Sequence, residues 1–312
     1  MSSPRFSFPW PPLAPNQPPP TWDGTAFRIG GERVQVLEYS RNESAWDAEL
    51  TGFHEEAASS HHPIDLASRS QAVRALKAFL PDDATYILEV GSSSGFLLPL
   101  LRDAFPRSCV IGSDAFPEAL RDLAERSQGL PLLQFDLARC PLPDACLDGV
   151  VALNVLEHVQ DDAAGVREMQ RVLKPGGIAY LEVPAGAWLY DIYDETLRHY
   201  RRYSASGLRR LVREAGFRVE RFSHLGFLVF PAFVAAKKRN QRLLARSPEK
   251  KRSEVARNIS ATRRSAALAA AFRTDSWLSR LVTFPIGIRC VCVLRKPPAA
   301  SASRSYPLPR PG

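Results

Sequence analysis

A run of small and polar residues between two apolar segments is the stretch best suited to chemistry. In ILEVGSSSGFLL (residues 87–98), an apolar run that contains Glu89 ends at Gly91, and three serines separate Gly91 from Gly95. This order is typical of a strand, a tight turn and a helix N-terminus. Free backbone N–H groups and the positive end of the helix dipole face a ligand at such a turn, and glycine permits its close approach. We expect a small molecule to lie over this loop.

The residues around the loop indicate the kind of ligand. A dinucleotide site uses Gly-x-Gly-x-x-Gly, whereas Ser93 and Phe96 stand at its second and third glycine positions here. Glu89 would also repel a pyrophosphate. A cationic ligand with an amino-acid end and an adenosine end fits better, because an acid after the next strand can accept two ribose hydroxyls. S-adenosylmethionine is such a ligand.

Polar residues follow several strands of the predicted sheet. From Ala84 onward, apolar strands alternate with helical segments, which is the pattern of a parallel sheet with crossover helices. Ligands of open α/β sheets bind at the carboxyl ends of the strands. We therefore expect four polar residues at or near strand ends to surround one cavity: Glu89, Asp114, Asp136 and Asn154.

The run from Ile87 to Gly177 resembles a class I S-adenosylmethionine-dependent methyltransferase of the type 11 or type 23 kind. Besides the glycine loop, the resemblance rests on VIGSDAF, LLQFDLARCPLPDACLDGVVALNVLEHVQDD and VLKPGGIAYLEVP, in the family's order. It implies an α/β fold, a Rossmann-like three-layer sandwich with a seven-stranded, mostly parallel sheet and an antiparallel last strand at Ile288 to Leu294.

The same resemblance implies a site for S-adenosylmethionine. It assigns the ribose to Asp114, the adenine edge to Asp136 and the methionine part to Asn154. The complete predicted donor site comprises Glu89, Gly91, Ser92, Ser93, Gly95, Asp114, Ala115, Asp136, Leu137 and Asn154.

Methyl transfer mainly requires alignment of the acceptor, and a base only for a weakly acidic hydroxyl or amine. His158, just after the fourth strand, is the first candidate for that base, although it could instead brace the following loop. Glu157 would orient His158 or the substrate.

A second polar cluster follows the fifth strand, between Asp191 and Tyr203. It resembles the D…H-x-R-R-Y run of bacterial members linked to sugar, polyprenyl or envelope-glycan chemistry. We predict that His199 is catalytic and that an arginine helps it to grip an anionic acceptor; the alternative is a solvated flank of the next helix. The predicted substrate residues are Glu157, Asp194, Arg201 and Tyr203.

We predict no metal site. Some relatives bind a metal through Glu-x-x-Glu-His and a later histidine, but Asn154 replaces the first glutamate here. Glu157, His158 and His199 would remain as candidate ligands without the full pattern.

Composition divides the chain into five regions. Residues 226–312 carry 18 Lys and Arg against 3 Asp and Glu, whereas the remainder carries 23 against 30. We predict a disordered proline-rich arm (1–22), an N-terminal cap (23–83), the methyltransferase domain (84–225 plus 286–296), a basic helical insertion (226–285) and a disordered tail (297–312).

The basic insertion has three interpretations. It forms a solvated helical face, or it contacts an anionic membrane with Phe227, Leu228, Phe230 and Phe233 beside its lysines, or it binds nucleic acid. Few aromatic residues accompany its charges, which counts against RNA.

Five scattered cysteines and the lack of a signal-like or membrane-spanning segment predict a cytoplasmic location, with peripheral membrane contact left open. The predicted activity is methyl transfer to a small molecule, to oxygen in preference to nitrogen. We expect a saccharide, a glycolipid precursor or a secondary metabolite as acceptor. The alternatives are a non-catalytic S-adenosylmethionine-binding partner subunit and an RNA methyltransferase.

Overall fold

An extended mixed sheet forms the centre of the molecule. The computed structural model describes residues 7–40, 62–127, 129–263 and 265–298. The strands of this part are β1 (Thr21–Trp22), β2 (Phe27–Ile29), β3 (Glu32–Val34), β4 (Val36–Glu38), β5 (Tyr86–Val90), β6 (Cys109–Asp114), β7 (Leu132–Gln134), β8 (Leu147–Leu153), β9 (Leu173–Pro184), β10 (Arg218–Leu225) and β11 (Arg289–Arg295). The central sheet has the order β10-β11-β9-β8-β5-β6-β7-β4, and β1 to β3 form a separate small sheet.

Strand direction follows the predicted pattern. Strands β4 to β9 pair in parallel, and β11 is antiparallel to both of its neighbours, β9 and β10. The predicted Rossmann-like fold with an antiparallel last strand is therefore confirmed. Because the parallel strands share one direction, the residues that follow β5, β6, β7 and β8 meet at the same edge of the sheet.

Helices cover both faces of the sheet, as the alternating pattern requires. In the described part of the chain they are α1 (Pro63–Phe79), α2 (Leu98–Ala104), α3 (Pro117–Arg126), α4 (Asp162–Val172), α5 (Ile192–Thr196), α6 (Ala205–Glu214), α7 (Phe230–Gln241), α8 (Pro248–Arg263) and α9 (Ala266–Leu278). Helices α1, α2, α3 and α9 contribute apolar side chains to one core layer. Helices α4 and α6 contribute to the layer on the other face.

The central sheet contains one more strand than the seven predicted. The additional strand is β4, which pairs in parallel with β7 through Val36 and Leu132. Leu37 is fully buried at this edge. A three-residue strand has too little periodicity to be separated by sequence from the neighbouring hairpin of β2 and β3.

The proline-rich arm is ordered where the structure describes it, so the prediction of disorder is wrong for residues 7–22. Phe8 and Trp10 are buried in the core. Their ring centroids lie 4.3 Å apart, and the ring of Trp10 lies 5.0 Å from that of Phe27. Prolines prevent a helix or a strand ladder here, but they do not prevent burial of the aromatic side chains between them.

Three helices, α7, α8 and α9, occupy the region predicted as a basic insertion. No helix among the described residues is long and apolar enough to cross a membrane. Residues 41–61 of the predicted N-terminal cap lie outside the described residues, as do residues 299–312 of the predicted tail.

The buried arm predicts a measurable contribution to stability. Replacement of Trp10 by alanine should lower the free energy of unfolding by about 3 kcal/mol, because it removes a large buried side chain and leaves a cavity. Urea denaturation of the purified protein measures this change. Pro15→Ala, at an exposed position of the same arm, is the control, and an equal effect of both substitutions would contradict core burial of the arm.

Candidate active site

The glycine loop connects β5 to α2 through backbone conformations that favour glycine. Gly91 has φ 75°, and a Cβ at this position would lie 2.4 Å from Cγ2 of Val155. Its missing side chain therefore lets the segment after β8 pack against the loop. Ser93 is also in the left-handed region, at φ 42°, although it carries a side chain.

Hydrogen bonds fix this loop to the end of the neighbouring strand β6. The Ser93 N–H donates to Oδ2 of Asp114 over 2.9 Å, and the Ser92 N–H donates to the Ser113 carbonyl over 2.8 Å. The second Asp114 oxygen accepts from the Phe116 N–H over 3.0 Å. The carboxylate predicted to bind a ribose thus also determines the shape of the loop.

A cavity of about 1080 Å³ lies over the carboxyl ends of β5, β6 and β7, and we call it the donor cavity. Most of the predicted donor residues line it: Gly91, Ser93, Asp114, Ala115, Asp136, Leu137 and Asn154.

Three predicted donor residues occupy other places. Glu89 and Ser92 line a neighbouring cavity instead. Gly95 lies on neither lining, and a Cβ there would come within 2.4 Å of the Leu123 side chain. Its glycine is therefore explained by packing against α3 and not by the approach of a ligand.

The neighbouring cavity, of about 490 Å³, is called the acceptor cavity here. Helices α1, α7, α8 and α9 form much of its wall, and Glu157, His158, His199 and Arg202 face it from the sheet side. The two cavities share five lining residues: Gly91, Ser93, Leu153, Asn154 and His158. Two molecules bound in these cavities would therefore meet near Asn154 and His158.

Two histidines stand close together at this junction. The imidazole centroids of His158 and His199 are 4.7 Å apart with the rings nearly perpendicular. Nδ1 of His199 lies 2.9 Å from Oδ1 of Asp194. Since an ionised carboxylate only accepts hydrogen bonds, Nδ1 must donate, which makes Nε2 the ring atom with a free lone pair when the imidazole is neutral. Burial lowers the pKa of His199, against the opposing effect of Asp194.

Asp194 is the centre of a buried ionic network that the sequence analysis did not foresee. Besides His199, it pairs with Nη1 of Arg202 at 2.9 Å and with Nζ of Lys237 at 2.8 Å. Lys237 also contacts Asp191 at 2.6 Å. Burial alone would raise the pKa of Asp194, but the His199 hydrogen bond and the two cations hold it well below its ordinary value.

The charge pattern predicts Lys237 in a basic helical face, whereas its side chain is buried in the acceptor cavity wall. The sequence contains a signal for this position, because Phe233 and Lys237 are one helical turn apart on α7 and therefore lie on the same face of the helix. Both side chains line the cavity.

The ring of Phe227 stacks on the ring of Phe284, with the centroids 4.9 Å apart. Of the four apolar residues proposed to enter a membrane, Leu228 is exposed, whereas Phe227, Phe230 and Phe233 are partly buried.

Three predicted substrate residues line neither cavity: Asp194, which lies in the buried ionic network, and Arg201 and Tyr203. Arg201 pairs with Asp162 at 2.8 Å and donates to the Gln160 carbonyl. The Tyr203 hydroxyl also donates to Asp162, over 2.9 Å. Both side chains therefore brace the segment that contains His158. Arg202, which points into the acceptor cavity, takes the place expected for Arg201.

Glu157 is buried in the acceptor cavity wall, and neither of its carboxylate oxygens has a hydrogen-bond partner among the described residues. Burial raises its pKa to about 8. The side chain is thus mostly protonated at neutral pH and can donate a hydrogen bond to a bound molecule.

The absence of a metal stays a prediction. One ligand atom from each of Glu157, His158 and His199 lies within 4.8 Å of the others. This spacing would accommodate a cation, so elemental analysis of the purified protein is the direct test.

Comparison with known proteins agrees with this geometry. Residues 88–181 match the family model described as "Methyltransferase domain". The match places a methyltransferase domain at residues 88–181, in agreement with the motifs that resemble class I S-adenosylmethionine-dependent methyltransferases.

Curated relatives resemble part of the chain. A "Probable S-adenosylmethionine-dependent methyltransferase" of Mycolicibacterium smegmatis is 35% identical over 136 residues, which are 43% of this chain and 52% of the relative. "Trans-aconitate 2-methyltransferase" of Azoarcus sp. is 32% identical over 37% of this chain and 46% of its own length. The chain thus spans about half the length of these curated relatives.

A solved structure supports the fold over a larger part of the chain. The putative methyltransferase in complex with the Trm112 methyltransferase activator of Haloferax volcanii has a TM-score of 0.52 and 19% identity, and the match covers 80% of this chain and 95% of that one. At this identity the likeness shows the fold alone.

The strained loop predicts a binding defect. Gly91→Ala should weaken S-adenosylmethionine binding at least about tenfold, because a left-handed φ costs a residue with a side chain on the order of 1–2 kcal/mol and the new methyl group must displace Val155. Isothermal titration calorimetry measures the dissociation constant. Gly176→Ala is the control, since Gly176 also has a positive φ but a Cβ there meets no atom within 4 Å. Binding by Gly91→Ala as tight as by wild type would show that the loop tolerates a side chain.

The raised pKa of Glu157 predicts how stability depends on pH. Between about pH 5 and 8 the folded chain keeps a proton on Glu157 that the unfolded chain releases. The contribution of Glu157 to the free energy of unfolding is therefore fully present at low pH and decreases as the pH rises. The free energy of unfolding of wild type minus that of Glu157→Gln should fall by about 1 kcal/mol per pH unit from pH 5.5 to 7.5.

Urea denaturation of the ligand-free proteins measures this difference. Glu118→Gln, at an exposed position of α3, controls for the loss of one carboxylate. A difference between wild type and Glu157→Gln that is constant over this pH range would contradict the raised pKa.

Proposed function

We propose that this chain transfers a methyl group from S-adenosylmethionine to a hydroxyl oxygen of a small molecule bound in the acceptor cavity. The observation that carries the proposal is the junction of the two cavities at Asn154 and His158. A donor and an acceptor in these cavities would meet beside two histidines, one of which is oriented by a carboxylate.

The donor cavity offers groups suited to each part of S-adenosylmethionine. Asp114 and Asp136 line it with carboxylates for hydroxyl and amino groups, and Asn154 lies beside the glycine loop. Glu89 lines the acceptor cavity on the other side of the glycine loop, where its Oε2 is buried without a hydrogen-bond partner among the described residues, which supports a role near the cationic part of a ligand that reaches past the loop. When bound, S-adenosylmethionine supplies an electrophilic methyl group, so the protein has only to position the acceptor and remove its proton.

His199 has the features of the base that accepts this proton. Its Nδ1–H donates to Asp194, which fixes the tautomer and stabilises the imidazolium that forms. Its lowered pKa keeps Nε2 unprotonated at neutral pH. His158 lines both cavities and is the second candidate, either as the base itself or as a group that orients the acceptor.

The lining of the acceptor cavity favours a neutral acceptor with an apolar part. Val229, Phe233, Leu268 and Phe272 form an apolar portion of its wall. Three cations of the lining are already paired with carboxylates: Arg202, Lys237 and Arg289. Binding of an anionic acceptor by these residues would break existing ion pairs. We therefore favour, as the methyl acceptor, a hydroxyl of a glycolipid precursor or of an apolar metabolite.

Oxygen as the acceptor atom has further support from a relative. The "Malonyl-[acyl-carrier protein] O-methyltransferase" of Herminiimonas arsenicoxydans is 29% identical over 168 residues, which are 53% of this chain and 58% of the relative. The name of this relative specifies O-methylation. Its similarity extends beyond the donor motifs and supports the reaction type alone.

Substitution of each histidine tests the assignment. With radiolabelled S-adenosylmethionine and a panel of saccharide, polyprenyl-linked and phenolic alcohols, His199→Gln should lower kcat by about 10²- to 10⁴-fold, the usual contribution of a general base. The dissociation constant for S-adenosylmethionine should stay within about twofold of wild type, because His199 does not line the donor cavity.

His224→Gln is the matched control, since His224 is buried but bonds to the Phe284 carbonyl away from both cavities. If His158→Gln and His199→Gln both retain wild-type turnover, neither histidine is the base. Binding of S-adenosylmethionine without turnover of any alcohol would favour a non-catalytic partner subunit, and turnover of RNA alone would favour an RNA methyltransferase.

A further inference from the structure

Five large apolar side chains are exposed at one corner of the molecule. They are Leu228, Trp277, Leu281, Val282 and Ile286, each between 42% and 70% exposed, and we call them the apolar patch. Contiguous exposed apolar surface of this kind marks a contact with a protein or a membrane.

The backbone under the apolar patch is held in place by buried interactions. The Asp275 carboxylate accepts hydrogen bonds from the N–H groups of Gly226 and Leu228 over 2.9 and 3.1 Å. The Arg221 guanidinium donates to the carbonyls of Ser279 and Val282. The first two contacts join the segment before α7 to α9, and the other two join β10 to the segment after α9, so the backbone that carries Leu228, Trp277, Leu281 and Val282 is held in place.

The apolar patch lies next to the acceptor cavity. Strand β11 begins at Arg289, opposite Pro184 at the carboxyl end of β9, which places the preceding segment at the edge of the sheet that carries the site. Leu228 is adjacent to Val229, and Gly287 alone separates Ile286 from Ile288. Val229 and Ile288 both line the acceptor cavity.

Positive charge accompanies the apolar patch. Residues 276–298 contain no Asp or Glu, and Arg280 is exposed between Trp277 and Leu281. Like charges would repel each other if two copies of the chain met face to face here, whereas anionic phosphates would offset them.

We propose that the apolar patch docks on an anionic lipid bilayer. Trp277 and Leu281 would enter the boundary between headgroups and acyl chains, where tryptophan is favoured, and Arg280 would face the lipid phosphates. This surface differs from the lysine-rich helices suggested by the sequence, because Lys237 and Lys251 are buried in ion pairs. The acceptor cavity would then open beside the membrane.

Vesicle co-sedimentation of the full chain tests the proposal without any need for methyl transfer. Wild type should bind vesicles of 40% phosphatidylglycerol and 60% phosphatidylcholine at least about tenfold more tightly than vesicles of phosphatidylcholine alone. The double variant Trp277→Ser with Leu281→Ser should lose at least about tenfold of this affinity, and so should Arg280→Glu.

Two exposed positions elsewhere provide matched controls. Leu100→Ser on α2 and Arg213→Glu on α6 should bind vesicles within about twofold of wild type. Thermal unfolding and S-adenosylmethionine affinity of every variant should equal those of wild type, which separates a failed docking surface from a failed fold or a failed donor site.

Three results would overturn the proposal. The first is a wild-type protein that does not bind anionic vesicles. The second is a pair of patch variants that bind like wild type. The third is a wild-type dimer, detected by light scattering, that the patch substitutions convert to a monomer without any change in vesicle binding; this would assign the surface to a second copy of the chain.

Discussion

The Asp194 carboxylate is the group on which the acceptor side of this molecule depends. A buried carboxylate is tolerated only when charges and hydrogen bonds compensate for the lost water, and Asp194 obtains these from His199, Arg202 and Lys237. Arg202 in turn donates to the Ala185 carbonyl just after β9. One side chain thus joins the last parallel strand, the histidine and helix α7.

This network explains how a late insertion becomes part of the site. Helix α7 comes from residues far along the chain, yet Lys237 ties it to α5 through two carboxylates. Lys251 on α8 makes a similar contact with Glu195. The insertion helices are therefore attached to the domain by charge as well as by apolar packing, and the acceptor cavity exists because they are held there.

Much of the fold could be predicted because its signals are local. Strand ends, the glycine loop and the crossover helices follow from hydrophobic periodicity in short segments and from the glycine, proline and polar residues that end those segments. The antiparallel last strand followed from the family resemblance. The edge strand β4 and the buried aromatic residues Phe8 and Trp10 were missed. Both depend on long-range packing that leaves little trace in a proline-rich or three-residue segment.

The donor cavity was easier to anticipate than the acceptor cavity for the same reason. Asp114, Asp136 and Asn154 are placed by the strands that precede them, so their position follows once the sheet is known. Arg202 and Lys237 are placed by pairing with Asp194 across the fold, and no spacing in the sequence distinguishes Arg202 from Arg201. The roles of His158 and His199 in catalysis stay predictions.

The hydrogen bond from the Ser93 N–H to Asp114 has an energetic consequence for the donor site. Because Asp114 holds the loop in its strained turn, the loop is shaped without any donor present, and less ordering entropy remains to be lost on binding. A substitution of Asp114 would therefore change two quantities together: the predicted contact with the ribose and the preorganisation of the glycine loop. Affinity for adenosine alone, compared with affinity for the methionine part that is predicted to contact the loop, separates them.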